Sequence, residues 1–428
     1  MPGTRRWRLP NRDGMTSTAK LTRRWTVDGA SQARLLAGYV AAVMFILDAT
    51  LGGLLNVGRY DFFYLADSIL HGHLWLDVIP APGTYDWVMY GGHVYVPFQP
   101  FPVVLTLPLV AAFGMPSAAA LEPVLNAALA ASCALAGWAL LGRLGVANIR
   151  DRFALVVLLM FGTVMWNVTV RGGVWHTSEV LGALIMLLAL CEGATASPRP
   201  WLLGLLVGAA ALSRAPMLFA APYFIWLLWR TGPESAAGQT TRDRVTRVVG
   251  FLLPVALFGA IDLVYNWARF GSVFESGYAL ASLPPELERL REMGLFSLVH
   301  LPMNLQYLFL NGPGTWVGLP LLFRPDPYGM SVLITSPALL VGLWAIRTST
   351  AARGLAAAGL AVLLPTLLYY GGGWIQLGYR YLLDSIPFWF ALCGLVAARR
   401  GVGRVWMLVI GWSVMVNLWL VVWAASFR

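Results

Sequence analysis

The chain has 428 residues, of which 58% are hydrophobic and 12% charged, with a mean hydropathy of +0.68. A soluble protein carries about 25% charged residues. Half that share cannot cover a water-facing globule of this size, which excludes a soluble enzyme, a disordered regulator and a secreted disulfide scaffold. The net charge of +10 sits between apolar runs, so it reads as membrane orientation and not as nucleic-acid binding.

A basic segment, 1–34, opens the chain and precedes an apolar run at 35–57 with no small-residue cleavage pattern. This predicts an uncleaved first span. Further apolar runs follow at 117–141, 152–170, 174–192, 200–213, 216–230, 248–268, 331–346, 354–371, 382–398 and 405–425. Cys133, Cys191 and Cys393 fall inside such runs, so no disulfide framework is expected. The run at 97–113 holds four prolines, which break helical hydrogen bonding. If it lies on the outer face without crossing, the connections 142–151, 193–199, 231–247, 347–353 and 399–404 share one side with the N-terminus. That side then holds 21 of the 30 cations, as the positive-inside rule asks. A full crossing would reverse this. The expectation is an all-α polytopic membrane protein of about 11 transmembrane helices, N-terminus cytoplasmic and C-terminus outside. Residues 35–428 form one transmembrane domain, with outer connections 58–116 and 269–330. The pair 200–213 and 216–230 reads as a hairpin or as one kinked helix. All but one of the cations are arginine, a bias that suggests a GC-rich bacterial genome and so a bacterial plasma membrane.

No Gly-rich phosphate loop ending in Lys-Ser/Thr, no HExxH, no paired CxxC and no DxD is present. The first outer connection opens with RYDFFYLADSILHGHLWLD. Phe62, Leu65, Ala66 and Ile69 recur at helical spacing, which predicts an interfacial helix with one apolar stripe. Asp61, Tyr64, Asp67, Ser68 and His71 lie largely off that stripe. Asp61 either caps this helix or serves as a catalytic carboxylate at the membrane surface.

In RGGVWHTSEV, His176 and Glu179 share a helix face beside Arg171. They orient a hydroxyl, bind a cation or pair with each other. Arg214 (in LSRAP) and Arg380 (in GYRYLLDSIP) sit at the outer membrane edge, where a guanidinium either snorkels or binds phosphate through its forked donors. Asp48 and Asp262 lie within spans, as helix-to-helix hydrogen-bonding groups or as a proton relay. Trp75, Trp87, Trp175 and Trp374 fall in or beside outer loops, where indole faces suit sugar rings.

Five stretches, in order, resemble the GT-C superfamily of membrane glycosyltransferases. This superfamily includes polyprenyl-phosphate-mannose-dependent mannosyltransferases and aminoarabinose transferases. The stretches are YDFFYLADSILHG, YVPFQPFPVVLTLPLVAAFG, LLGLLVGAAALSRAPMLFAAP, YNWARFGSVFESGY and GYRYLLDSIPF. The resemblance implies a GT-C-like fold with outer juxtamembrane helices and a polyprenyl-phosphate-linked sugar donor. It implies a lipid, glycan or protein acceptor and inverting transfer at the periplasmic or exterior face. In that scheme Asp61 is general base. Arg380, Arg214 and Tyr381 hold the donor phosphate. Tyr64, Asp67, His71, Arg171, His176 and Glu179 contact acceptor or sugar, or support those that do. Many members carry two acids at the first motif, whereas here Phe62 follows Asp61. A second acid is thus open, and so is a divalent cation as cofactor. Membrane lipids are the other expected partners. A transporter or lipid flippase using Asp48 and Asp262 is the competing reading, and a non-catalytic scaffold is a third.

Overall fold

A computed structural model describes residues 19–78, 81, 84–231, 240–319 and 322–425. Residues 1–18 of the expected basic segment and 232–239 of the polar connection lie outside the described residues. The chain is helical and built around long apolar segments. Helix α1 (Ala19–Leu55) leads to a short α2 (Asp61–Leu70). A hairpin of β1 (Val88–Tyr90) and β2 (His93–Tyr95) turns on Gly91 and Gly92, both at positive φ. Helices α3 (Val103–Phe113) and α4 (Met115–Ala119) close the first connection. Helix α3 has 11 residues with Pro108 inside it, too few for a crossing. It lies on α2, where the Thr106 hydroxyl donates to the Phe62 carbonyl at 2.9 Å.

The bundle continues with α5 (Glu122–Arg143), α6 (Ile149–Phe161), α7 (Met165–Arg171), α8 (Val174–Gly193) and α9 (Pro200–Ser213). A 3-10 turn at Ala215–Ala220 feeds α10 (Ala221–Arg230), followed by the 30-residue α11 (Thr241–Phe270). A capping box starts α11: the Thr240 hydroxyl accepts from the Asp243 N–H, and the Asp243 carboxylate accepts from the Thr240 N–H. The second connection holds α12 (Pro285–Glu292), α13 (Leu301–Phe309) and a hairpin of β3 (Thr315–Gly318) and β4 (Leu322–Arg324). The chain ends with α14 (Val332–Thr335), a 3-10 run at Pro337–Arg347, α15 (Thr350–Leu368), α16 (Ile386–Arg400) and α17 (Arg404–Ala424).

Among the described residues, six helices are long and apolar enough to cross a membrane: the Arg34–Leu55 part of α1, and α5, α8, α11, α15 and α17. Helices α6 and α7, bent by 52° at their junction, make a seventh if taken as one span. The expected run 152–170 thus breaks at 162–164. Helices α9 and α16 have 14 and 15 residues, and 216–230 and 331–346 are partly 3-10. Shortness keeps these from qualifying by length.

The ambiguous pair 200–213 and 216–230 is a hairpin. Gly204 abuts Phe251 and Gly208 abuts Phe258, so α9 and α11 run parallel. Phe224 stacks on Phe251, and Arg247 reaches Thr231, so α10 runs back antiparallel to α11. Glycine permits the α9–α11 approach, because a Cβ on Gly204 would lie 2.2 Å from the Phe251 carbonyl oxygen. Gly204→Ala should therefore lower the thermal midpoint of the detergent-purified protein, with a cost of about 1–3 kcal/mol. Gly259→Ala, where the new methyl group meets nothing within 4 Å, should leave it unchanged.

Candidate functional site

Glycine also sets the geometry of the site. Gly172 and Gly173 join α7 to α8 at φ +56° and +85°. A Cβ on Gly172 would lie 2.5 Å from the Asn56 amide nitrogen, and one on Gly173 equally close to Val57. The bare backbone lets segment 57–59 pair with this junction. The Val57 N–H donates to the Arg171 carbonyl at 2.8 Å, and the Val174 N–H donates to the Arg59 carbonyl at 3.0 Å. Glu122 braces the contact by accepting from Asn56 Nδ2 at 2.8 Å and from the Gly173 N–H at 3.1 Å. Arg59 and Asp61 are thereby held beside Arg171 and Trp175.

Asp61 is the first residue of α2, and its side chain does not cap the helix. Its Oδ2 accepts from Arg59 Nη2 at 2.9 Å and from Trp87 Nε1 at 3.0 Å, and its Oδ1 accepts from Arg59 Nε at 3.3 Å. The residue is wholly buried. The Arg59 guanidinium lies over two indoles, 4.8 Å from the Trp175 ring centre and 5.6 Å from that of Trp87.

The Trp175 ring also meets Arg380, whose guanidinium carbon is 5.8 Å from its centre. From there a buried charge cluster extends. Arg214, at the turn after α9, grips Asp384 with both Nε and Nη2, at 2.9 Å for the shortest contact. Glu179, fully buried on α8, stands 3.7 Å from both Arg214 and Arg380 with neither oxygen hydrogen-bonded. Tyr381 closes the group: Arg380 Nη2 donates to its hydroxyl at 3.4 Å, and both arginines lie against its ring. Burial works against charge on Arg214, but Asp384 and Glu179 outweigh it and hold the guanidinium protonated above its ordinary range. Nε of Arg380, and Nε and Nη1 of the buried Arg171, have no protein partner.

The structure thus brings together Asp61, Arg171, Glu179, Arg214, Arg380 and Tyr381. His176 is buried among these arginines, but its Nδ1 bonds the Gly172 carbonyl. The charged partners of Glu179 are arginines, so the expected His176–Glu179 pair does not form. Neither Arg214 nor Arg380 snorkels, since both side chains are turned inward. Tyr64 is half-buried on α2. Asp67 and His71 face each other at the far end of α2, His71 largely exposed. That end is roughly 10–15 Å along the helix from Asp61, and neither residue joins the cluster. Trp75 stacks between His73 and His93, and Trp374 is exposed beside Tyr328.

Sequence reading missed Arg59, Asp86 and Asp384. Arg59 lies two residues before Asp61, and Asp384 lies four after Arg380 inside the same motif, so spacing carried a signal for both. Nothing local marks Asp86. Among the described residues no three His, Cys, Asp or Glu side chains gather as a metal cage. With the Asp61 oxygens already hydrogen-bonded, the groups here do not fit a resident divalent cation.

No protein-family model matches the chain, and neither does any curated protein sequence. Solved structures similar to it include the Archaeoglobus fulgidus oligosaccharyltransferase in the apo form, at 14% identity and a TM-score of 0.47, covering 90% of this chain and 56% of that one. Another is the archaeal oligosaccharyltransferase AglB from Archaeoglobus fulgidus in complex with an inhibitory peptide and a dolichol-phosphate. It has 12% identity and a TM-score of 0.47, covering 91% of this chain and 56% of that one. The chain spans about half the length of that protein. An overlap at this level decides neither substrate nor acceptor.

Removing one member of the buried pair should be costly, because the other is left as an uncompensated charge. Asp384→Ala is expected to destabilise the protein by about 3–5 kcal/mol, read as a lowered thermal midpoint in detergent. An unchanged midpoint would mean that Arg214 finds water or lipid phosphate in its place.

Proposed function

We propose that the chain is a membrane glycosyltransferase that moves a sugar from a polyprenyl-phosphate donor to an acceptor hydroxyl, with inversion, at the outer face of a bacterial plasma membrane. The observation that carries this reading is the set of unmatched, buried guanidinium donors on Arg171 and Arg380, beside the Asp61–Arg59 pair. A buried donor without a partner is unfavourable by about 1–3 kcal/mol. A phosphate group satisfies such donors in the forked geometry that guanidinium prefers. Arg380, Arg214 and Tyr381 would hold the leaving phosphate and stabilise the charge that develops on it. The resemblance of the five sequence stretches supports the same assignment. In this reading an apolar groove of about 420 Å³, lined by Leu74, Ala260, Ile261, Val264, Tyr265 and Ala268, would take the donor's hydrocarbon tail. Mannose is the first candidate sugar, by resemblance alone. Eleven crossings with the N-terminus inside suit the charge pattern.

Inverting transfer needs a carboxylate to take the acceptor's proton as the new bond forms, and Asp61 is the sequence's nominee. Asp61→Asn should fold normally and lower transfer of labelled sugar from a polyprenyl-phosphate donor at least about 100-fold; normal turnover would remove Asp61 from the site. Arg380→Ala should raise the KM for donor more than that for acceptor. The opposite pattern would count against a phosphate role.

One observation favours a second reading. Asp48, on α1, is 1% exposed and faces Thr169 and Trp166 of α7 with no cation beside it among the described residues, as a proton-relay carboxylate would be. A flippase built on Asp48 would tolerate Asp61→Asn and lose lipid translocation in Asp48→Asn. A transferase would show the reverse.

A further inference from the structure

The two outer connections are sewn together at one point. The Asp86 N–H donates to the Ser282 carbonyl at 2.9 Å, and the Ser282 N–H donates to the Trp87 carbonyl at 2.8 Å. The Ser282 hydroxyl donates to the Thr84 and Trp87 carbonyls, and Val88 pairs with Ala281. Arg59 Nη1 donates to the Tyr85 carbonyl at 3.2 Å. Held from both sides, Asp86 adopts φ +65°, a left-handed conformation that aspartate tolerates better than most residues with a Cβ. Its neighbours Tyr85 and Trp87 contact Arg59 and Asp61, which sets this turn against the site. The Asp86 carboxyl faces Arg59 and Asp61 from the start of α2, Trp175 from α8 and Arg380 from the last outer segment. Tyr278 and Tyr370 border the same space.

Asp61 and Asp86 differ in what is left for a substrate. Asp61 is fully buried and accepts three hydrogen bonds from Arg59 and Trp87. Asp86 is only partly exposed and accepts one side-chain hydrogen bond, from Trp175, against three at Asp61. A general base must present an oxygen within reach of the proton it takes. We propose that Asp86 is the catalytic base of the transfer, and that Asp61 is a positioning residue that fixes Arg59 and Trp87 beneath it. This deepens the glycosyltransferase reading and rests on it. The acceptor oxygen bonds to the anomeric carbon as its proton passes to the Asp86 carboxylate. The bond from that carbon to the phosphate oxygen breaks, and its electron pair leaves with the phosphate toward Arg380 and Arg214. Burial raises the Asp86 pKa, and the Asp61 carboxylate adds to this. Arg59 and Arg380 pull it down without cancelling the rise. The base works deprotonated, so activity falls as pH drops through this raised value.

The test uses the full-length protein in nanodiscs with a labelled polyprenyl-phosphate sugar, and reads kcat/KM for acceptor against pH. Wild type should show an acid limb above the ordinary aspartate range. Asp86→Asn should lose about 10²–10⁴-fold together with that limb. Asp86→Gly, which accepts the left-handed turn, should keep the wild-type thermal midpoint and donor KM and regain activity several-fold with added formate. Asp61→Asn should leave a slower reaction that formate does not restore, its limb kept but shifted to lower pH because a neighbouring negative charge is gone. If wild type transfers sugar but Asp86→Asn keeps the limb, or formate rescues Asp61→Asn instead, the assignment to Asp86 is overturned while the transferase stands. If wild type transfers no sugar, the transferase reading falls and takes the assignment with it.

Discussion

The site depends on a backbone contact that only glycine permits. At Gly172 and Gly173 two helices meet end to end, and the strand-like segment after α1 lies directly against the junction. Any side chain there would push Asn56 and Val57 away. Arg59 would then leave Trp175, and Asp61 would lose the frame that sets its direction. Three elements far apart in sequence are thus brought into register by the absence of two methyl groups.

Once they are in register, electrostatics decides the rest. Four guanidinium groups (Arg59, Arg171, Arg214, Arg380) and four carboxyl groups (Asp61, Asp86, Glu179, Asp384) share a region largely removed from water. Charges there are tolerable only when paired or stacked. Arg59 and Arg214 are matched by short bidentate contacts. Arg171 and Arg380 are not, and Glu179 serves two arginines at a distance without bonding either. Under the proposed function, the open donors are where a further anion would sit. A purely structural network would close its own donors.

Much of this was legible in the sequence. Hydropathy and arginine placement gave the membrane class, and the prolines of 97–113 marked a segment that folds as a short helix, Val103–Phe113, with Pro108 inside it. Asp61, Arg214 and Arg380 stood out because charge at a membrane edge is unusual. What stayed hidden was pairing across distance. Asp384 could be seen four residues from Arg380, yet its partner is Arg214, 170 positions away. His176 and Glu179 looked like a pair by helical spacing, but tertiary arginines outbid that local geometry. Asp86 carries no motif, since its importance comes from Ser282 in the other connection. Span lengths also misled: an apolar run reports burial or lipid contact, not an unbroken helix, so 152–170 reads as one segment and folds as two.

Helix α11 is the most lipid-exposed of the long helices, with 11% of its apolar window covered by the rest of the chain. The apolar groove at Ala260 and Val264 lies on that open flank. A substrate carrying a long hydrocarbon tail would therefore approach sideways, by diffusion within the bilayer. Its effective concentration would be a surface density, set by the mole fraction of the donor among the surrounding lipids. Diluting the membrane with inert lipid would slow such a reaction even at constant bulk concentration. The second substrate, if soluble, would still obey ordinary solution kinetics.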